Sequence, residues 1–72
     1  MMITQIGLTA GDIWTYLDAH ERSAKLAYLL SNLGQDRDLM LMSIGWLARE
    51  GYVMLEGEPS DYTVKLTKKE GE

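Results

Sequence analysis

A connection of only three residues, from Gly34 to Asp36, joins two segments with helical patterns. In the segment before it, leucines recur at the spacing that lines one side of a helix: Leu26, Leu29, Leu30 and Leu33. Gly34 suits the left-handed position that follows a helix, and Ser23 is a good N-cap. We therefore predict helix 2 over residues 24–33, followed by the short glycine-containing turn of a helix-turn-helix.

The segment after this turn contains eight consecutive uncharged residues, Leu39 to Trp46. An apolar run of this kind fits a strand or a helix by pattern alone. Composition favours a helix, because leucine and methionine are strong helix formers. Asp36 can cap the helix and Gly51 can end it. We predict helix 3 over residues 37–50.

The N-terminal part of the chain carries a third helical pattern. Thr9 is a good N-cap, Asp12 follows three residues later, and apolar residues then recur at helical spacing: Ile13, Trp14 and Leu17. We predict helix 1 over residues 10–20. Residues 2–6, with the sequence "MITQI", are a candidate for a short N-terminal strand.

The C-terminal part changes to a strand pattern. Residues 52–56 and 62–66 are β-prone, and the turn-rich sequence "GEPSD" separates them. Apolar residues alternate with more polar neighbours, as expected when one sheet face is buried: Val53, Leu55, Val64 and Leu66. We predict a hairpin wing over residues 52–67 and a polar tail over residues 68–72.

Three helices with a tight turn between the second and third, followed by a hairpin, predict an α+β winged helix-turn-helix fold. With 72 residues the chain forms one domain, near the lower limit for a single hydrophobic core. It contains no cysteine, so neither a disulfide nor a thiolate metal site can add stability. The core, or a second subunit, must supply that stability.

Two stretches of the sequence also resemble a known family. The sequences "IGLTAGDIWTYL" and "LMLMSIGWLAREG", with the distinctive run from Gly45 to Gly51, are similar to small prokaryotic single-domain winged helix-turn-helix proteins of unknown function. The resemblance covers most of the chain. It implies the fold and a regulatory role, and it brings no catalytic residues with it.

Helix 3 has two apolar stripes. At 100° per residue, Met40, Ile44 and Leu47 fall within about 60° of arc, and we expect them to face the core. The opposite face then carries Asp38, Leu41, Met42, Gly45, Trp46 and Arg49. Leu39, Met42 and Trp46 form the second stripe, which is either covered by the wing or the N-terminal strand, or exposed for a partner.

The charge of the expected reading surface disfavours nucleic acid. The whole chain has a net charge of −4, and residues 36–61 contain six acidic residues against two basic ones, Arg37 and Arg49. Binding to DNA draws much of its affinity from neutralised phosphates. If DNA is bound, the contact candidates are Lys25, Arg37, Arg49 and Lys65. Arg22, Lys68 and Lys69 are further cations such a model must use.

No residue pattern points to catalysis, a cofactor, a metal ion or a small-molecule substrate. His20 is the single histidine and lacks the spacing of a metal site or a catalytic dyad. The "DRD" sequence that begins at Asp36 lacks the glycine and terminal glutamate of a calcium loop. Ser23 and Ser31 have no neighbouring base. We expect a non-enzyme.

The N-terminal sequence has no signal-peptide pattern and no apolar run long enough to span a membrane, so the expected location is the cytoplasm. As function we expect an interaction or assembly module that binds a protein partner or a second copy as a homodimer. The interface candidates are Leu39, Met42, Gly45 and Trp46. The alternative is a DNA-binding transcriptional regulator of the winged helix type.

Overall fold

The computed structural model describes residues 2–58 and 61–67 and contains three helices and a three-stranded antiparallel sheet. The elements follow in chain order: α1 Met2–Ala19, β1 Ser23–Lys25, α2 Leu26–Leu33, α3 Arg37–Arg49, β2 Val53–Glu56 and β3 Thr63–Leu66. This confirms the predicted α+β winged helix-turn-helix fold. Residues 59 and 60 of the predicted wing turn and the predicted tail 68–72, with Lys68 and Lys69, lie outside the described residues.

The turn and the helix that follows it have the structure predicted from the sequence. Gly34 adopts a left-handed conformation with φ of 66°, which ends α2. The side chain of Asp36 accepts hydrogen bonds from the backbone N–H groups of Asp38 and Leu39, at 3.1 and 3.3 Å. These bonds satisfy two of the donors that a helix start leaves unpaired. At the other end, Glu50 caps α3 and Gly51 follows with φ of 84°.

Helix α1 differs most from the prediction. It begins at Met2 rather than near residue 10, so the candidate strand over residues 2–6 is wrong. Thr9 is not an N-cap but lies inside the helix, with only 3% of its surface exposed. The prediction failed because β-branched residues and glycines, which are poor helix formers, dominate residues 3–11.

A longer pattern explains why these residues nevertheless form a helix. Apolar residues recur at alternating spacings of three and four along the whole of α1: Ile3, Ile6, Ala10, Ile13 and Leu17. This repeat places them on one side of a helix. Its C-terminal members are buried, Ile6 is half-buried, and Ile3 is exposed. The apolar stripe of α1 therefore continues past the edge of the core.

Strand β1, which adds to the predicted hairpin, comes from a segment that was predicted to begin helix 2. Ser23 is not the N-cap of helix 2, because residues 23–25 form β1 and pair with β3 in the antiparallel register Ser23↔Lys65 to Lys25↔Thr63. Helix α2 therefore begins at Leu26, whose N–H donates to the backbone oxygen of Tyr62 at 2.9 Å. Pairing with the wing outweighs the local capping preference of Ser23.

The turn between α1 and β1 is held by Arg22. Glu21 and Arg22 have positive φ angles of 66° and 64°, which are uncommon for residues with side chains. The N–H of Arg22 donates to the oxygen of Leu17 at 2.8 Å, and its own oxygen accepts from Leu66 at 2.9 Å. Its guanidinium donates to the backbone oxygen of Thr67 at 2.8 Å. The turn thus links the end of α1 to the end of β3.

The sheet has the strand order β1-β3-β2, so β2 lies at an edge. Among the described residues, the core contains ten buried apolar side chains from α1, α2, α3 and the hairpin: Ala10, Ile13, Leu17, Leu29, Met40, Ile44, Leu47, Val53, Val64 and Leu66. Leu55 was predicted to share this buried face, but it is 42% exposed. It pairs with the buried Val64 of β3, but β2 is an edge strand and Leu55 lines an open cleft there.

Candidate functional site: the exposed face of helix α3

The face of α3 that turns inward is the one predicted. Met40, Ile44 and Leu47 are at most 4% exposed and pack against α1 and the sheet within one cluster. Ser43, between these positions, is also buried, and its hydroxyl donates to the backbone oxygen of Leu39 at 2.7 Å. The buried face fixes the rotation of α3 about its axis and thereby determines which residues it exposes.

The exposed face of α3 has two apolar edges and a charged centre. At about 100° per residue, Leu41 and Gly45 lie on the wing side, whereas Met42 and Trp46 lie on the opposite side. Asp38 and Arg49 are both exposed and fall between these edges. In a winged helix-turn-helix protein this is the face that would enter the major groove of DNA.

The four interface candidates are accessible to different degrees. Trp46 is 45% exposed and Met42 is 40% exposed, Gly45 is exposed, and Leu39 is half-buried. Tyr52 stacks on Trp46 without covering it, and residues 2–6 form part of α1 instead of a strand across it. Within one chain, the stripe is therefore only partly covered at Met42 and Trp46.

Helix α1 adds residues that the sequence did not identify as part of this surface. Ile3, Ile6, Gly7 and Trp46 line an open cavity of about 320 Å³. A second open cavity of about 290 Å³ lies next to it and is lined by Gly7, Ala10, Gly11, Trp14, Trp46, Leu47 and Tyr52. We call the combined surface the α1–α3 groove, defined by Ile3, Ile6, Gly7, Gly11 and Trp46. The three-four repeat of α1 was the signal that could have identified it.

A third, smaller cleft lies on the wing side of α3. It has a volume of about 100 Å³, and its lining is almost wholly apolar: Leu26, Leu41, Ile44, Gly45, Leu55, Tyr62 and Val64. Gly45 lines this cleft, so it lies apart from Trp46 rather than beside it in the groove. Of the predicted interface set, Gly45 therefore belongs to a different surface from Trp46.

The DNA-contact candidates do not form one free basic patch. The ammonium group of Lys25 lies 2.8 Å from a carboxylate oxygen of Asp61, and that of Lys65 lies 3.6 Å from Glu56. Folding thus places these two cations next to acidic residues of the wing. Arg37 and Arg49 are exposed near opposite ends of α3, and neither has an ion pair with another residue in the described part of the chain.

The residues considered for catalysis or metal binding have structural partners. The Nδ1 atom of His20 donates to the backbone oxygen of Tyr16 at 2.7 Å, and the two rings stack with centroids 3.9 Å apart. Asp36 caps α3, and Ser23 lies in β1. Within residues 2–58 and 61–67, no group of three or more His, Cys, Asp or Glu side chains is placed to hold a metal ion.

A further open cavity, of about 530 Å³, lies beside this His20–Tyr16 pair and is also lined by Lys25 and Tyr28. Every buried side-chain nitrogen and oxygen atom in the described segments has a hydrogen-bond partner, so none is aimed at this cavity unpaired. As to the membrane, none of the helices in the described segments combines the length and the apolar character that a span requires.

Comparison with known proteins agrees with this architecture. Residues 1–66 match the family described as a winged helix-turn-helix domain (DUF2582). The chain is also similar to the "Uncharacterized protein MJ1608" of Methanocaldococcus jannaschii, with 33% identity over 63 residues. The similarity covers 86% of this chain and 90% of that protein. No solved structure matches the chain significantly. The resemblance noted in the sequence is confirmed, and the chain belongs to the winged helix-turn-helix domain family DUF2582.

Proposed function

We propose that this protein is a non-enzymatic interaction or assembly module that uses the exposed face of α3 and the adjoining α1–α3 groove to bind protein. The single observation that carries this proposal is the exposure of Trp46. It is 45% exposed, and it borders two apolar cavities on the surface that a DNA reader would present to the major groove. Tryptophan and methionine are enriched at the centres of protein interfaces, where they contribute much of the binding energy.

The chemistry of the α3 face supports protein contact over DNA contact. Base edges in the major groove are bound by side chains with hydrogen-bonding groups, most often Arg, Lys, Asn or Gln. Among the exposed positions of α3, Leu41 and Met42 offer no such group, and Trp46 offers only its indole N–H. The N-terminal end of the helix, where readers approach DNA, carries Asp36 and Asp38. Their carboxylates repel phosphates.

The runner-up is a DNA-binding transcriptional regulator. It is favoured by the fold and by Arg37 and Arg49, which are exposed on α3 and have no ion pair with the residues described. Two cations provide little affinity for DNA, because binding strength comes largely from neutralised phosphates. Each neutralised phosphate changes the slope of log K against log salt concentration by only about 0.9. Fold alone is a weak argument for function, since the same fold carries different activities.

An NMR titration separates these two functions. Labelled protein is mixed with a mixed-sequence DNA duplex at low salt, and the backbone amide shifts of α3 are followed. We expect the amide chemical shifts of residues 37–49 to remain unchanged when DNA is added. Salt-dependent shifts centred on Arg37, Arg49 and Lys65 would overturn the proposal. An Arg37→Gln, Arg49→Gln double variant is the matched control, because it removes both unpaired cations of α3 while leaving Trp46 in place.

A further inference from the structure

We propose that the α1–α3 groove is occupied by a second copy of this chain, with the two α1 helices packed antiparallel about a two-fold axis near Gly7. This inference rests on the proposed function, because it names the protein that the groove binds. It is carried by three properties of the first turns of α1: their poor intrinsic helix stability, their shape and their lack of charge.

The N-terminal turns of α1 need a surface to pack on. Residues 3–9 contain four β-branched residues and a glycine, all of which favour helices less than alanine does. A helical segment of such composition is unstable in water unless an apolar face is packed. Yet α1 is helical from Met2, while Ile3 is 76% exposed. A second copy would cover the face that one chain leaves open.

The groove carries both a protrusion and a matching depression. Ile3 projects from the surface, whereas the cavity beside Gly7, Gly11 and Trp14 is open, with a volume of about 290 Å³. A side chain added at Gly7 or Gly11 would meet no atom within 4 Å. A two-fold interface joins a surface to itself, so the same patch must supply both the projecting and the receiving part.

The spacing along α1 matches this arrangement. In an antiparallel pair centred on Gly7, residue 3 of one copy lies opposite residue 11 of the other. Ile3 then faces Gly11 of the second copy, at the cavity that Trp46 and Tyr52 also line. Ile3, Gly7 and Gly11 fall within about 80° of arc on the helix, so one face presents all three. The relation is reciprocal, and the interface therefore closes as a dimer.

The charge distribution is consistent with self-association at this face. The chain carries a net charge of −4, so two copies repel wherever acidic surfaces meet. Residues 2–11 contain no charged side chain, and Trp46 adds none. A basic partner would gain no attraction from this neutral groove, whereas a second copy can approach it without bringing like charges together.

The exposed apolar side chains of this face supply about half of the area that each partner buries in a specific interface. From the roughly 150–250 Å² that a large side chain can bury, the exposed parts of Ile3, Met42, Trp46 and Tyr52 amount to about 400 Å² per copy. Specific interfaces bury about 800 Å² per partner. The exposed backbone and side chains between them, at Thr4, Gly7 and Gly11, supply further area.

Sedimentation equilibrium tests the proposal with a matched pair of variants. We expect the wild type to have twice the chain mass of 8.1 kDa and Ile3→Glu to have half the wild-type mass. Gln5→Glu introduces the same charge on the same helix, about 160° around from Gly7, and should keep the wild-type mass. Ile3 and Gln5 are both exposed, so neither substitution disturbs the core. A monomeric wild type, or an Ile3→Glu variant that remains dimeric, would overturn the proposal.

Cross-linking checks the register without relying on Ile3→Glu. Because the chain has no cysteine, Gly7→Cys introduces a single thiol next to the proposed axis. A disulfide requires Cα atoms within about 7 Å, so mild oxidation should join two Gly7→Cys chains and leave Gln5→Cys chains unjoined. Equal cross-linking of both variants contradicts the register.

The two proposals fail in different experiments. A wild type that is monomeric at every concentration excludes the second copy, while an unmoved α3 in the DNA titration leaves protein contact as the function. Salt-dependent shifts on α3 with DNA overturn the proposed function, whatever mass the chain has.

Discussion

Trp46 and Tyr52 stack with their ring centroids 6.3 Å apart and an interplanar angle of 25°, although 45% of the tryptophan and 40% of the tyrosine remain exposed. The contact joins the outer side of α3 to Tyr52, the residue that follows Gly51 at the end of the helix. Both rings line the same cavity of the α1–α3 groove. The groove therefore has an aromatic wall that is oriented by contact within one chain before any partner arrives.

This exposure predicts that Trp46 contributes less to the fold than its size implies. In the Ile3→Glu background, which we expect to be monomeric, Trp46→Ala should lower the free energy of unfolding by about 1–2 kcal/mol, mainly through loss of the aromatic contact. Met40→Ala, at a fully buried site, should lower it by about 2–5 kcal/mol. Urea denaturation measures both. Equal losses would show that Trp46 is a core residue rather than an interface residue.

Asp36 should stabilise α3 through the hydrogen bonds that its side-chain oxygen accepts and not through its negative charge. Asp36→Ala removes the acceptor for the N–H groups of Asp38 and Leu39 and should lower the free energy of unfolding by about 1 kcal/mol. Asp36→Asn keeps an oxygen at the same place and should retain most of the stability. Urea midpoints, with hydrogen exchange at the two amides, distinguish the variants. A full loss with asparagine would mean that charge, not capping, is what matters.

Two glycines should respond in opposite directions to alanine. At Gly45 an added Cβ meets no atom within 4 Å, so Gly45→Ala should raise the free energy of unfolding by about 0.5–1 kcal/mol through helix propensity. At Gly34, with φ of 66°, Gly34→Ala should lower it by about 1–2 kcal/mol. For a domain of this size, each kcal/mol shifts the melting temperature by about 4–8 °C, which calorimetry resolves. A destabilising Gly45→Ala would indicate a close approach at that position.

The left-handed turn after α1 predicts a second contrasting pair. Glu21→Gly should raise the free energy of unfolding by up to about 1 kcal/mol, because it relieves a positive φ that glycine adopts freely. Arg22→Gly relieves a similar angle but removes the hydrogen bond to Thr67 and the 3.5 Å ion pair with Asp18. We expect Arg22→Gly to be the less stable of the two in thermal melts. The reverse order would show that backbone strain outweighs the arginine contacts.

The parts of the fold that were predictable are those whose local signals agree with their final packing. Helix α3 has a cap at Asp36, a stop at Gly51 and a single core stripe, and it was correct to within one residue. Strand β1 was missed because Ser23 carries a capping signal while its pairing partner Lys65 lies far along the chain. The local sequence preferences of residues 23–25 do not predict pairing with a strand so far along the chain.

The candidate site was predictable only in part, for a related reason. The stripe that contains Met42 and Trp46 could be located on α3, but whether it was covered depended on where residues 2–9 lie. Their glycine and β-branched residues favour a strand or a loop, whereas the spacing from Ile3 to Leu17 favours a helix. The helical periodicity extends over the whole of α1 and prevails over the weaker local preferences.

Arg22 has a further consequence for how this domain opens. It joins Leu17 at the end of α1 to Leu66 and to Thr67, which lies 45 residues further along the chain. Thr67 is in turn bound to the residues that precede β2, because its N–H donates to the backbone oxygen of Tyr52 and its hydroxyl donates to that of Gly51. The C-terminal end of α1 and the C-terminal end of the wing are thus held together. We expect α1 and the wing to lose their hydrogen-exchange protection together, as one cooperative unit, instead of the wing fraying on its own.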